Sequence, residues 1–384
     1  MLRCGPGVWS AYAIWASLLV LSERKCETGM SPYVLVFAEA FTITLVLTPI
    51  VRAGALRAGL VYMPNSRTVH TRPMPVLGGA AIFAGFLTVI LHRVGLGHDM
   101  LGLLVGGAIV FAVGVRDDVR ELPALPKFLG QLAAAVAAVW LGVRIEFVTN
   151  PFGPGMIYLG WWGIPVTLFW ILALTNVVNF LDGLDGLAAG VSSIAAFALF
   201  SVAASRGQAF AASLAVALAG CAVGFLPFNF NPAKIFMGDA GAMFLGFAIA
   251  VISVEGALKG AATIALAIPM FALGVPIIDT AFAIARRVHN GTPFYQADKD
   301  HIHHRLLAKG FSHRGAVILI YLVSGVLASC AVLMARVHAT ATLYLVLAIV
   351  AGAAMAGLSR PRGARGVHSR ANAGTHTHVP HGQA

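Results

Sequence analysis

Long apolar runs separated by short polar loops dominate the pattern of positions along this chain. Eleven of these runs approach the roughly 20 residues that a helix needs to cross a membrane. They lie at about 30–51, 77–96, 100–115, 128–145, 160–177, 187–204, 208–227, 240–257, 261–285, 316–336 and 341–358. The pattern therefore predicts an all-α, polytopic membrane protein with about eleven transmembrane helices.

The composition agrees with this prediction. The chain has 384 residues, of which 59% are hydrophobic and 11% are charged, whereas soluble domains carry about 25% charged residues. The four cysteines have no ligand-like spacing; they are Cys4, Cys26, Cys221 and Cys330. We therefore expect neither a disulfide framework nor a zinc site.

Lysine and arginine are sorted between the two sides of the predicted bundle. The loop that begins at residue 52 and every second loop after it hold eighteen of them, and the loops of the other side hold five. Because cytoplasmic loops of membrane proteins collect basic residues, the first set is predicted to face the cytoplasm. This sorting also accounts for the net charge of +11, so no nucleic-acid partner is expected.

Three regions are predicted along the chain. Residues 30–358 form the transmembrane domain. Residues 1–29 form an N-terminal extension or an extra apolar segment, because the run at about 8–22 is short for a span and resembles a signal-peptide core; Met30 would also be a natural start. Residues 359–384 are basic, His-bearing and rich in Gly, Arg and Thr, which predicts a disordered cytoplasmic tail.

One polar stretch, residues 175–190, is the centre of the predicted site. It holds Asn176, Asn179, Asp182 and Asp185 with three glycines, between two apolar runs. A charge near the bilayer centre costs about 3 kcal/mol, so these carboxylates must lie at a wet membrane edge, be paired or hold a cation. Asparagine oxygens suit a hard cation, although a polar loop with Asp-Gly turns is the alternative.

A second polar cluster, residues 116–127, lies on the same predicted side. The adjacent Asp117 and Asp118 repel each other unless a cation or a shared proton relieves them. The basic residues of this loop, among them Lys127, are the alternative source of relief. The functional interpretation is a carboxylate pair close to Mg²⁺, or one carboxylate that acts as a base.

Two loops offer groups that suit phosphate. In the first, Arg67, His70 and Arg72 lie on a backbone made irregular by Pro and Gly, which suits phosphate binding, although a basic loop that only fixes topology is the alternative. In the second, Asp239 lies between two glycines before an apolar run, where an ordinary helix cap is the alternative. Lys234, in the same loop, would suit a phosphate.

The longest loop of this side has three histidines within four residues, His301, His303 and His304, followed by Arg305. No cysteine or spaced carboxylate completes a tetrahedral zinc set, so contact with phosphate or pyrophosphate is the better interpretation.

Two carboxylates, Glu39 and Asp279, fall inside apolar runs, where such residues are functional by default. Asp279 could reach the site from the cytoplasmic end of its helix. Glu39 could face a groove or pair with another polar group.

Together, the five loops resemble those of the polyprenyl-phosphate N-acetylhexosamine-1-phosphate transferases in motif order, spacing and membrane side, from about residue 35 to 358. The loop that begins at Asp298 is similar to the undecaprenyl-phosphate GlcNAc-1-phosphate transferase branch. Thr68, where a basic residue is common, and Ala242, where serine is common, are small departures. The resemblance implies transfer of N-acetylhexosamine-1-phosphate, with GlcNAc preferred, from a UDP-sugar to undecaprenyl phosphate, with release of UMP.

The resemblance also implies roles for the matching residues. Asn179 and Asp239 would hold Mg²⁺, with Mn²⁺ as an alternative ion. Asp117 and Asp118 would lie beside it, one of them orienting or deprotonating the lipid phosphate. Asp182 and Asp185 would lie on the uridine side, while His301, His303 and Arg305 would contact the pyrophosphate and the sugar, the two histidines as catalytic residues. The remaining predicted substrate contacts are Asn65, Arg67, His70, Lys127, Asn176, Lys234 and His304.

The expected chemistry is consistent with these roles. The nucleophile is a phosphate oxygen that is already anionic, so the site must neutralise and position charge more than supply a strong base. The predicted partners are UDP-N-acetylhexosamine, polyprenyl phosphate and membrane lipid in a bacterial plasma (inner) membrane, and a homodimer is left open.

Two other functions were compared with this one. An intramembrane prenyltransferase would need DxxxD-like motifs on two facing helices, and a cation-coupled transporter would place charges mid-helix in related halves. The chain has neither pattern. The sequence leaves open the sugar, the choice between undecaprenyl and decaprenyl, and the polymer, whether teichoic acid linkage, lipopolysaccharide O-antigen, arabinogalactan or another.

Overall fold

The computed structural model of the chain describes residues 31–62, 73–95, 97, 100–150, 155–258, 262–289 and 302–337. Three predicted features lie outside these residues, namely the N-terminal extension 1–29, the eleventh apolar run 341–358 and the tail 359–384.

The described residues form twelve α-helices. In chain order they are α1 (Pro32–Arg57), α2 (Gly79–Arg93), α3 (Leu101–Val119), α4 (Ala124–Trp140), α5 (Gly163–Leu181), α6 (Leu187–Ser205), α7 (Ala209–Asn229), α8 (Gly238–Leu258), α9 (Ala262–Ala272), α10 (Gly274–His289), α11 (Ile302–Ala308) and α12 (His313–Val337). Ten of the eleven predicted runs coincide with helices. The ninth run is divided between α9 and α10, and α11 lies in a segment predicted as a loop.

Fewer helices than predicted have the length and hydropathy of a membrane span. Among the described residues six do: α1, α5 with the 3₁₀ turn Gly160–Trp162 before it, α6, α7, α8 and α12. The pair α9 and α10, bent by 72°, would be a seventh. Helices α2 and α4 have only 15 and 17 residues, and α3 ends in charged residues. The all-α architecture is confirmed, but the count of about eleven is not.

Two antiparallel hairpins complete the described part of the chain. Strand β1 (Val61–Tyr62) pairs with β2 (Met74–Pro75), and β3 (Phe147–Thr149) pairs with β4 (Met156–Tyr158). Directly after β2, the N–H of Gly79 donates to the carbonyl of Met237 at 2.8 Å. This bond holds the segment before α8 against the start of α2.

Helix α8 lies at the centre of the bundle. It packs against α2, α3, α5, α6, α7 and α9, and its apolar side chains are almost wholly buried. Glycines make the closest of these contacts. A Cβ on Gly79 would lie 2.2 Å from the Cα of Gly241, and one on Gly114 would lie 2.3 Å from the Cα of Ala240. Because no side chain fits these gaps, the start of α8 lies directly against α2 and α3.

Glu39 of α1 is paired rather than open to a groove. Its carboxylate accepts a hydrogen bond from Nε of Arg93 and contacts Nδ1 of His92, both at the end of α2. Of the two alternatives for Glu39, the structure therefore shows the pairing.

Candidate active site

Four helix ends meet around Asp239. Asp239 lies in the first turn of α8, Asp117 lies at the end of α3, Lys127 lies in the first turn of α4, and Asn179 lies in the last turn of α5. Nζ of Lys127 lies 2.8 Å from Oδ2 of Asp117 and 2.8 Å from Oδ2 of Asp239. Nδ2 of Asn179 donates to Oδ1 of Asp239. The structure thus brings four of the predicted site residues into one cluster.

Asp118, the neighbour of Asp117, caps α8 from another helix. Its two carboxylate oxygens accept the backbone N–H groups of Asp239 at 2.7 Å and Ala240 at 3.1 Å. A carboxylate at a helix N-terminus satisfies donors that have no partner within the helix. Because Asp118 fills this role, Asp239 is not an ordinary helix cap, and its own carboxylate faces Lys127 and Asn179.

Gly238 makes this capping arrangement fit. Its φ of +77° is in the left-handed region, and a Cβ on it would lie 2.5 Å from Oδ2 of Asp118. Any other residue would therefore be strained and would also displace the carboxylate. The Gly-Asp pair in the sequence was a sign of this turn, but it did not identify Asp118 as the partner.

Of the basic residues in the loop 116–127, Lys127 is the one that offsets the negative charge of Asp117. The Asp117 side chain is buried, with 8% exposed, and it also accepts the N–H of Leu122 at 2.6 Å. Arg116 instead donates to the backbone carbonyl of Arg120. The ammonium of Lys127 therefore lies between two carboxylates that belong to helices distant in sequence.

Asn176 lies one turn before Asn179 and has partners inside the bundle. Its Nδ2 donates to Oε1 of Gln131 at 2.8 Å and to the carbonyl of Leu172 at 2.8 Å. Gln131 is buried and in turn contacts the Sδ of Met243. The predicted substrate role of Asn176 stays a prediction, and Gln131 is a buried polar residue that the sequence analysis missed.

Asp182 and Asp185 have different surroundings. The carboxylate of Asp185 is buried and accepts Nδ2 of Asn231 and the N–H of Ala233, both at 3.0 Å. Asp182 is half-buried, and its carboxylate has no hydrogen-bond partner among the residues that the structure describes. Loss of hydration raises the pKa of the Asp182 carboxyl to about 8, and the charges of Asp239, Asp118 and Asp185 add to the rise. Of the two, Asp182 has the carboxylate whose oxygens are not already bonded to the described residues.

Lys234 contacts residues outside the carboxylate cluster. Its ammonium lies 5.9 Å from the centre of the Phe228 ring, and its carbonyl accepts Nε of Arg52 at 3.0 Å. The predicted phosphate contact of Lys234 stays a prediction.

Two loops with predicted site residues, the first basic loop and the His-bearing loop, are described only in part. Asn65, Arg67, His70 and His301 lie outside the described residues, and for His303 and His304 only their place in the helix α11 is described. Arg305 is exposed on α11. Asp279 of α10 accepts the N–H of Ile302 at 2.9 Å, so this carboxylate attaches the start of α11 to α10.

Residues that the sequence analysis did not single out support the segment 182–186. Asn229 accepts the N–H of Gly186, and Tyr321 donates its hydroxyl to the carbonyl of Gly186. His313 accepts the N–H of Asp185. Tyr321 lies in the apolar run 316–336, where the sequence carries no sign of this role.

Similarity to known proteins extends over most of the chain. Residues 100–257, which include the whole carboxylate cluster, match glycosyl transferase family 4. The chain is 41% identical over 332 residues to the probable undecaprenyl-phosphate N-acetylglucosaminyl 1-phosphate transferase of Bacillus subtilis, covering 86% of this chain and 90% of the relative. It is 38% identical over 341 residues to the decaprenyl-phosphate N-acetylglucosaminephosphotransferase of Mycobacterium tuberculosis, with 81% and 84% covered. An undecaprenyl-phosphate alpha-N-acetylglucosaminyl 1-phosphate transferase of Yersinia pestis is 29% identical over 310 residues.

A bundle of apolar helices with a charged cluster at one end, together with these relatives, defines a multi-pass membrane transferase. The chain belongs to the family of polyprenyl-phosphate N-acetylglucosamine-1-phosphate transferases, and it is an enzyme of that class. The predicted family is confirmed, and the prenyltransferase and transporter alternatives find no support.

Proposed function

We propose that this enzyme transfers GlcNAc-1-phosphate from UDP-GlcNAc to a polyprenyl phosphate, with undecaprenyl phosphate as the preferred acceptor, and releases UMP. Its relatives are named for N-acetylglucosamine transfer to undecaprenyl or decaprenyl phosphate. The product is a sugar joined to the lipid through pyrophosphate. Such a product would begin a cell-envelope polysaccharide.

The observation that carries this proposal is the cluster of Asp117, Lys127, Asn179 and Asp239 at the ends of four helices. Charged side chains that are largely removed from water cost solvation energy, and Asp117 and Lys127 expose only 8% and 19% of their side chains, so their burial indicates a function. A lipid phosphate and a soluble nucleotide sugar can meet only at the membrane edge. The cluster offers carboxylates and a cation at the helix ends, where this proposal locates that edge.

The two adjacent carboxylates receive different roles in this proposal. Both oxygens of Asp118 accept backbone N–H groups of α8, so Asp118 is assigned to hold Asp239 in position. Asp117 is then the residue that orients the lipid phosphate. The attacking phosphate oxygen is anionic without help, so Asp117 needs to position it rather than act as a strong base.

Asp182 is assigned to the uridine side of the donor because its carboxylate has no hydrogen-bond partner among the described residues, whereas that of Asp185 is bonded to the loop before α8. His301, His303 and Arg305 remain the proposed contacts to the pyrophosphate and sugar. Lys127, already between two carboxylates, supplies a positive charge near the transferred phosphate.

The residues fit Mg²⁺ at Asn179 and Asp239. Each side chain carries an oxygen that could bind the ion, and the two side chains are in contact through Nδ2 of Asn179 and Oδ1 of Asp239; Mg²⁺ commonly takes one or two protein ligands with phosphates and water. Within the described residues, no group of three or more His, Cys, Asp or Glu could hold a metal, so an ion at this place would take its remaining ligands from phosphate and water. When bound, Mg²⁺, or Mn²⁺, supplies charge neutralisation at the pyrophosphate.

We also propose that the site faces the cytoplasm of a bacterial plasma membrane. The site residues lie in the loops and helix ends of the side that holds eighteen Lys and Arg, against five on the other. Basic loops remain on the cytoplasmic side of a membrane.

The test is an assay of the purified protein in detergent with undecaprenyl phosphate, Mg²⁺ and labelled UDP-GlcNAc. We expect label in the organic phase, release of an equal amount of UMP and reversal by added UMP, because one phosphoanhydride bond replaces another. Asp239→Asn should lose this activity. Glu39→Gln, which changes a carboxylate outside the cluster, should keep it.

Two outcomes would change the proposal. Labelling from UDP-GalNAc instead of UDP-GlcNAc would keep the mechanism and change the sugar. If folded protein used no UDP-hexosamine with either undecaprenyl or decaprenyl phosphate, the proposed reaction would be wrong.

A further inference from the structure

The segment 182–186 is a tight connection between α5 and α6. Within it, the N–H of Gly183 donates to the carbonyl of Leu181, and Gly186 has a φ of +80°. So short a turn leaves several backbone groups without partners of its own, and buried backbone groups need them. The shape of the segment therefore depends on groups supplied by other helices.

Helix α12 supplies two of these groups. The hydroxyl of Tyr321 donates to the carbonyl of Gly186, and Nε2 of His313 accepts the N–H of Asp185 at 3.0 Å. The other two supports come from the α7–α8 side: Asn229 accepts the N–H of Gly186, and the Asp185 carboxylate is bonded to the loop that follows α7.

The ring of Tyr321 is held in place by its packing. A Cβ on Gly190, one turn into α6, would lie 2.0 Å from Cζ of Tyr321. Because the ring occupies the place of a side chain, its hydroxyl cannot move far from the carbonyl of Gly186. The contact is thus fixed by shape as well as by a hydrogen bond.

The first turn of α12 also reaches the loop before α8. Nε of Arg314 donates to the carbonyl of Asn231 at 2.9 Å, and Asn231 donates in turn to the Asp185 carboxylate. Helix α12 further packs against α11, which bears His303 and Arg305. One helix therefore contacts three separate segments that carry proposed site residues.

We propose that His313 and Tyr321 of α12, which we call the α12 clamp, are positioning residues that hold the segment 182–186 in the shape that presents Asp182 to the nucleotide. The inference rests on the proposed function of Asp182. Neither clamp residue would touch the reacting phosphate. Loss of the clamp should therefore weaken nucleotide binding more than it slows the chemical step.

Hydrogen exchange on the full-length protein without substrate tests the clamp directly. Tyr321→Phe keeps the ring and removes the hydroxyl, and His313→Leu removes the acceptor. We expect faster exchange in the peptide that covers 182–187 for both variants. His313→Gln, whose side-chain carbonyl can replace Nε2 as an acceptor, should restore the wild-type rate, and Tyr33→Phe, at the start of α1, is the matched control.

Kinetics with UDP-GlcNAc provide the second measurement. Loss of one hydrogen bond should raise KM for the nucleotide sugar by roughly three- to tenfold, with kcat changed less than about twofold and the melting temperature nearly constant. The Gln variant should again be close to wild type. A fall in kcat alone, at unchanged KM, would contradict a role in nucleotide positioning.

The two proposals fail in different ways. If Tyr321→Phe and His313→Leu both exchange and turn over like wild type, the clamp is wrong, whatever the enzyme's substrate. If wild-type protein uses no UDP-sugar, the proposed function is wrong, and faster exchange in the two variants would still support the clamp as a support of the segment.

Discussion

Adjacent residues of the same type have different tasks at this site. Asp117 pairs with Lys127, while Asp118 accepts two N–H groups at the start of α8. An Asp-Asp pair in a sequence suggests a shared function, such as a common metal ion. The contacts indicate instead that one carboxylate organises the backbone and the other remains with the charged cluster.

This division predicts that the two Asn variants differ in stability. Asp118→Asn places an amide NH₂ near two N–H donors, and an unsatisfied buried donor costs about 1–3 kcal/mol. We expect a clear fall in the melting temperature and loss of turnover. Asp117→Asn should lose turnover by roughly a hundredfold because the phosphate is no longer held in position, with a smaller change in melting temperature.

Thermal unfolding in detergent, run beside the transferase assay, checks both expectations. Glu39→Gln serves as a control for changes in carboxylate number. Equal melting temperatures for Asp117→Asn and Asp118→Asn would contradict the capping role of Asp118.

The raised pKa of Asp182 predicts that the stability of the folded protein depends on pH. Its pKa in the folded protein is about 8, above the value of about 3.9 for an unfolded chain. Between about pH 4 and pH 8 the folded protein therefore holds a proton that the unfolded chain has released, so this group makes stability fall as pH rises. Above pH 8 both states are ionised, and the loss is complete.

Asp182→Asn removes this effect because it cannot ionise. Without Mg²⁺ and substrate, the variant should melt above wild type at pH 8.5, and the gain should shrink as the pH is lowered to 5. Melting curves at both values measure it. A constant difference between variant and wild type across this range would show that Asp182 does not titrate there.

At the scale of elements, glycine contacts determine how closely the helix ends approach. Gly114 lies one turn before Asp117, and its position faces Ala240 directly after Asp239. The separation of these backbones therefore sets the distance between the carboxylates of α3 and the start of α8. Side-chain chemistry alone would not hold the cluster together.

Gly114→Ala should consequently damage the site without changing any charged residue. The added Cβ would lie 2.3 Å from the Cα of Ala240, and overpacking of this kind costs about 1–3 kcal/mol. We expect a lower melting temperature and a loss of turnover through separation of Asp118 from α8. Gly325→Ala in α12, where a Cβ would meet nothing within 4 Å, is the matched control and should be neutral or stabilising. Wild-type turnover in Gly114→Ala would contradict this account.

At the scale of the whole molecule, the charged cluster and the β3–β4 hairpin belong to opposite ends of the bundle. Helix α4 begins beside the cluster at Lys127 and ends at Trp140, just before the hairpin. Together with the sorting of basic residues, this arrangement predicts that the hairpin faces outward and the cluster faces the cytoplasm.

Labelling of single cysteines tests this orientation. In a chain without its native cysteines, Met156→Cys in the hairpin should react with a membrane-impermeant maleimide in intact cells. Glu121→Cys, exposed beside the cluster, should react only after the membrane is opened. The reverse pattern would place the site on the outer face and overturn the proposed topology.

The helix positions and the family could be predicted from the sequence because hydropathy and charge patterns are visible within short stretches of consecutive residues. Apolar runs predict helices one at a time, and the positions of ten runs are confirmed by the described residues. The polar loops indicated the family for the same reason, since each motif lies within a few consecutive residues. The number of membrane spans could not be predicted in this way, because α9 and α10 are bent relative to each other and α2 and α4 are short.

Only the tertiary structure decided which polar groups are in contact with each other. Lys127 reaches Asp239 across 112 positions of sequence, and Asp118 reaches its N–H across 121. Tyr321, in an apolar run, supports a glycine 135 positions earlier. No local pattern encodes such contacts, because they depend on how closely helices pack, and here glycines at the contacts with α8 set that distance. The sequence by itself therefore determined the membrane class, the family and the candidate residues, and the packing of α8 and α12 decided their separate tasks.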